Sequence, residues 1–91
     1  MDPKEKLNSM EKMIRELNDI VNSQASLLKK VAQLEAENIN LGNNLLDQKL
    51  PAIHSNADET LNSASQLVEE FTRVKDKFIK DHKLDEVPPV T

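Results

Sequence analysis

The chain has 91 residues, 37% of them hydrophobic and 31% charged, with a net charge of -4 at pH 7. Two Phe, no Trp or Tyr and one Gly exclude an aromatic-rich globular core and argue against a turn-rich β fold. The lack of Cys excludes disulfides and thiolate metal sites, and the acidic balance excludes a general affinity for nucleic acid or anionic lipid.

A first helix opens at Asp2-Pro3-Lys4-Glu5. Asp2 is placed to cap it, Pro3 suits the first helical position, and Glu5 stands three residues after the cap. Heptads follow. Position a takes Met10, Leu17, Gln24, Val31, Asn38 and Leu45, and position d takes Met13, Ile20, Leu27, Leu34, Leu41 and Gln48. The register runs without a skip, which predicts a coiled-coil-type helix. Position e adds Leu7, Ile14, Val21 and Leu28, then turns polar with Glu35 and Gly42. A wide a/d/e face suits a bundle and a strict a/d face a two-stranded seam, so the helix is expected to meet different neighbours along its length.

Gln24 and Asn38 sit in a row meant for burial. Buried amides at position a cost stability but select register and oligomer state. The alternative is a seam that is partly solvated at those points. Both readings stand at this stage, and in either a seam this long calls for partner helices.

A break is expected near Pro51, which cannot donate to a helical ladder and biases Leu50 toward extended geometry. Ser55 with Asp58, or Asn56 with Glu59, offers a fresh cap. The division is therefore a heptad helix over 1–47, a linker over 48–54, a second amphipathic helix over 55–82 and a disordered tail over 83–91. Gly42-Asn43-Asn44 favours a turn, whereas Leu45, Leu46, Leu50 and Ile53 oppose a free polar loop. The fold class is all-α, a kinked rod or a helical hairpin, with the kinked rod preferred.

The second helix places Ala57, Leu61, Ala64, Val68, Phe71 and Phe78 on one face, with Leu67 and Val74 at its flank. Lys75, Lys77, Lys80, His82 and Lys83 crowd its end, where the helix dipole favours positive charge. Val87-Pro88-Pro89-Val90 near the end is expected to be a non-helical tail, and it lacks the anchoring cation of a polyproline ligand.

Chemistry-bearing motifs are few. His54 and His82 are the groups whose ordinary titration falls near neutral pH; His54, at the expected break, is either a pH sensor or a surface histidine. Neither has partners at metal-ligand spacing, so no metal or cofactor is expected. Glu35/Glu37 and Glu69/Glu70 read as solvated faces, since near neighbours on a helix point different ways. No nucleophile triad or phosphate loop is present, and an enzyme is not expected. Residues 1–16 balance four cations against four acids, which rejects the basic region of a DNA-binding zipper. The stretch VKDKFIKDHK (74–83), diluted by Asp76 and Asp81, is a poor membrane-surface helix. No apolar run approaches the ~20 residues of a membrane span, and no secretory or transit segment is read, so direct membrane insertion is not expected.

The stretch NSQASLLKKVAQLEAE (22–37), with Gln24, Leu27, Leu28, Val31 and Leu34, resembles the first-helix signature of snapin- and pallidin-type subunits. The resemblance implies a small cytoplasmic helical subunit, peripheral on an organelle through its complex, in lysosome-related organelle biogenesis or lysosome positioning. Small kinetochore or spindle subunits and self-assembling oligomerisation modules fit the same pattern. The expected function is a non-catalytic scaffold subunit of a hetero-oligomeric helical complex acting in membrane trafficking. Its expected partners are other helical chains, with no nucleic acid. The expected interface is Met10, Met13, Leu17, Ile20, Gln24, Leu27, Leu28, Val31, Leu34, Asn38, Leu41 and Leu45, continued by Leu61, Ala64, Val68, Phe71 and Phe78.

Overall fold

A computed structural model describes residues 2–84, and these form two long helices joined by a tight turn. Helix α1 spans Pro3–Leu41 and helix α2 spans Asn44–Asp81. The all-α class is as expected, in its hairpin form. The preferred kinked rod gives way to two antiparallel helices packed side by side. The particle measures 73 × 20 × 18 Å, with a radius of gyration of 20.4 Å, against roughly 12 Å for a compact chain of this length. Its accessible surface is 7050 Å² for a mass of 10.3 kDa, where a compact monomer would keep roughly 5,400 Å². One layer of two helices has almost no interior.

The start of α1 follows its sequence signals. Asp2 is extended at φ -78, ψ 170, and its Oδ1 accepts the Glu5 N–H at 2.8 Å. Pro3 takes the first helical position, where no amide hydrogen is needed.

The break is not at 48–54. It lies at Gly42-Asn43, and residues 48–54 are helical within α2. Gly42 ends α1 in the left-handed conformation, φ 68 and ψ 35, and its N–H donates to the Asn38 carbonyl at 2.7 Å. Asn43 then caps α2, its side-chain oxygen accepting the Leu46 N–H at 3.2 Å. Ser55 and Asn56, expected as caps, lie inside α2. Pro51 is tolerated although an interior proline removes a hydrogen bond and costs about 3 kcal/mol. The turn of helix ahead of it is held by tertiary contacts, with Leu50 buried and Leu46 half-buried.

The second helix ends at Asp81, close to its expected end. Lys83 adopts φ 55, its N–H donating to the Lys80 carbonyl at 3.2 Å, while the Leu84 N–H donates to the Ile79 carbonyl at 2.9 Å. This 5→2 and 6→1 pattern closes the helix. Lys83 and Leu84 thus belong to the cap and not to the tail expected from residue 83. The Val87-Pro88-Pro89-Val90 stretch lies outside the described residues.

Candidate assembly interface

Between the helices runs a seam that is buried or half-buried along its length. From α1 it takes position a, Met10, Leu17, Gln24, Val31 and Asn38, and position e, Leu7, Ile14, Val21, Leu28 and Glu35. From α2 it takes Leu50, Ala57, Leu61, Ala64, Val68, Phe71 and Phe78. Val31, Asn38 and Ala57 are each only 3% exposed. Ala57 and Ala64 are small side chains that are nevertheless buried, 3% and 8% exposed, against α1.

Asn38 fastens the turn. Its Nδ2 donates to Asp47 Oδ1 at 2.7 Å and to the Asn43 carbonyl at 3.1 Å, and its Oδ1 accepts the Asn43 N–H at 2.9 Å. A buried amide with its polar atoms occupied in this way specifies a local geometry. One turn earlier, His54 Nδ1 lies 2.7 Å from Glu35 Oε1 and joins the two helices. The narrowing of the apolar face after Leu28 therefore reflects the chain's own turn. It carries no information about a change of partner. Gln24 is half-buried on the seam.

Of the expected interface residues, Met10, Leu17, Gln24, Leu28, Val31 and Asn38 of α1 and Leu61, Ala64, Val68, Phe71 and Phe78 of α2 thus lie on the seam inside the chain. The remainder are exposed. Position d, Met13, Ile20, Leu27, Leu34 and Leu41, keeps 40–70% of its surface in solvent. Leu45 is exposed too, on the outer face of α2 and away from this row.

Helix α2 has a matching open row. Ile53, Leu67 and Val74 are 45–52% exposed and, with Thr60, repeat every seventh residue. They stand three residues after Leu50, Ala57, Ala64 and Phe71, as d stands three after a in α1. An antiparallel pair has an approximate two-fold axis normal to the plane of its helices, so equal offsets from the seam fall on the same side. The two open rows thus share one face. The opposite flank is different away from the turn: Asn18, Ala25 and Ala32 on α1 and Asp58, Ser65 and Thr72 on α2 are small or polar, and only near the turn does that row carry a large exposed apolar side chain, Ile39 at 82%. Near the turn that flank carries an open groove of about 450 Å³ whose lining includes Ala32, Ala36, Ile39, Asp47 and Pro51.

Periodicity marks a, d and e alike as apolar and cannot say which two rows the chain closes itself. For that reason the expected interface lacks Leu67 and Val74, although both are legible as flanking residues; Ile53 is absent from it because it falls in the expected linker over 48–54, which the structure shows to be helical.

Burying the remaining surface of one half-exposed Leu, Ile or Met contributes on the order of 1 kcal/mol. The eight apolar residues of the open face would contribute about 8 kcal/mol per hairpin. A pair of such faces supplies about twice that, enough to exceed an association cost of roughly 4–15 kcal/mol. The surface ion pairs are minor beside it: Lys12–Glu16 at 3.7 Å, Arg73–Glu69 at 2.9 Å and Lys77–Asp81 at 3.1 Å are all well exposed.

Among the described residues no group of three or more His, Cys, Asp or Glu is placed to hold a metal ion, and no helix is long and apolar enough to cross a membrane. Compared with protein-family models, curated proteins and solved structures, the chain matches none.

Proposed function

We propose that this chain is a non-catalytic assembly subunit, a helical hairpin that supplies half of a four-helix bundle. The observation that carries the reading is an inversion. Row a of α1, which holds both amides, is buried or half-buried, while row d, which is apolar from Met13 to Leu41, keeps 40–70% of its surface in solvent. A monomer gains nothing from that arrangement, whereas a hairpin whose open face is covered by other helices buries both rows. The scaffold subunit of a helical complex expected from the sequence is this same reading, now with one face assigned to the assembly.

The biological setting implied by the resemblance, organelle biogenesis or positioning, is part of the proposal and separable from the mechanism. Affinity purification of the tagged chain tests both. Leu27→Asp or Leu34→Asp should remove co-purifying helical chains, and Asp58→Lys on the opposite flank should not. Equal loss from both flanks would contradict the assignment of the interface.

A further inference from the structure

We propose that the open face is covered by a second copy of this chain, turned over so that the two turns lie at opposite ends and α1 runs antiparallel to α1 of the other copy. The inference rests on the assembly reading above and names its partner. Area, register and charge argue for it.

The chain exposes roughly 1,600 Å² more than a compact monomer of its mass, and a standard interface takes about 800 Å² from each partner. One face-to-face contact is therefore within what the hairpin has to offer.

Register is the more specific argument. Place a two-fold axis across α1 close to Ser23. Ile20 then falls beside Leu27 of the second copy, and Met13 beside Leu34. Ser23 and Ser63 stand at nearly the same distance from the Gly42-Asn43 turn, so the same axis crosses α2 close to Ser63. There it sets Ile53 beside Val74 of the second copy and Thr60 beside Leu67. One axis thus brings both open rows into step, from Met13 to Leu34 and from Ile53 to Val74, as a self-complementary interface requires, with Leu41 falling beyond the matched stretch beside Lys6 of the second copy.

On α1 charge follows the same axis. The outer flank of the α1 open row includes Glu16, Ser23 and Lys30, all exposed. The axis sets Glu16, which also has Lys12 at 3.7 Å, beside Lys30 of the second copy, and symmetry repeats the pair. On α2 it sets Lys49 toward Lys77 of the second copy, but Lys77 already carries Asp81 at 3.1 Å, so that carboxylate offsets the like charges. At the axis itself Ser23 meets Ser23 and Ser63 meets Ser63, small side chains that allow close approach.

The chain has no Cys, so one introduced thiol reports on one position. Ser23→Cys and Ser63→Cys, each alone, should be joined into covalent dimers by a short bis-maleimide, with Ser65→Cys on the opposite flank unlinked. Sedimentation equilibrium should give twice the chain mass. Lys30→Glu should weaken self-association at least ten-fold, and the double variant Glu16→Lys/Lys30→Glu should restore it, with helicity by circular dichroism confirming that each variant folds. A dimer in which Ser23→Cys links only when combined with Ser63→Cys would overturn the antiparallel arrangement. A helical chain of monomer mass at high concentration would overturn the second copy. If that monomer binds a different helical chain through Leu27, the assembly reading survives; if Leu27→Asp changes nothing, both readings fail.

Discussion

Rows a and d of α1 stand three residues apart on the same helix and meet opposite fates. Row a lies against α2 and includes Gln24 and Asn38. Row d carries only Met, Ile and Leu from Met13 to Leu41 and is left in solvent. Hydrophobicity alone would have buried d first. The chain closes on a and e because its turn is built there: Asn38 binds Asn43 and Asp47, Gly42 supplies the left-handed step, and Leu50 follows onto the same side. Local geometry selects the seam, and the row it leaves open is the one free to meet another chain.

The sharpest way to break the comparison is a charge in the closed seam. Val31→Asp puts a carboxylate where the side chain is buried, at a cost of at least ~3 kcal/mol. Most of the helical circular dichroism signal should be lost at any concentration. A variant that keeps its helicity would mean that row a is not the seam.

Asn38→Leu comes next. The leucine cannot replace three hydrogen bonds, and the Asn43 N–H and Asp47 carboxylate lose their partner. The expected loss is about 2 kcal/mol, seen as a lower midpoint in urea. Were the amide only a register selector for a second chain, this substitution would raise the midpoint instead. Gly42→Ala should cost about 1 kcal/mol, since φ 68 strains any side chain although nothing crowds the site. The same titration reads it, and an unchanged midpoint would place the strain elsewhere. Glu35→Gln, at a half-exposed pair with His54, should cost less than ~1 kcal/mol, and a loss as large as that of Asn38→Leu would make the His54 pair a main fastening of the turn alongside Asn38.

Much of this was legible from the residues. Asp2-Pro3-Lys4-Glu5 starts α1 as written, the heptad register identifies its apolar stripe, and α2 ends beside its run of lysines. The turn was harder because two breakers compete. Gly42 and Pro51 both disfavour helix, and proline carries the larger local penalty. What decides between them is Asn38 folding back on Asn43 and Asp47, a contact that exists only once the hairpin forms. Leu45, Leu46, Leu50 and Ile53, which argued against a free loop, do belong to ordered structure, as the first turns of α2. The interface was half legible for a related reason. A stripe three rows wide shows how much surface needs cover, and only the turn shows which part the chain covers itself.

The central claim is that the seam closes the hairpin while the open row closes an assembly, and thermal melting across a hundred-fold range of concentration tests it most directly. Melting of the wild-type chain should rise with concentration by on the order of 5–10 °C, because association favours the folded state by mass action. Leu27→Asp, with row a intact, should melt at the dilute wild-type temperature and show no such rise. A wild-type chain with a sharp, concentration-independent transition and the mass of a monomer would contradict the account.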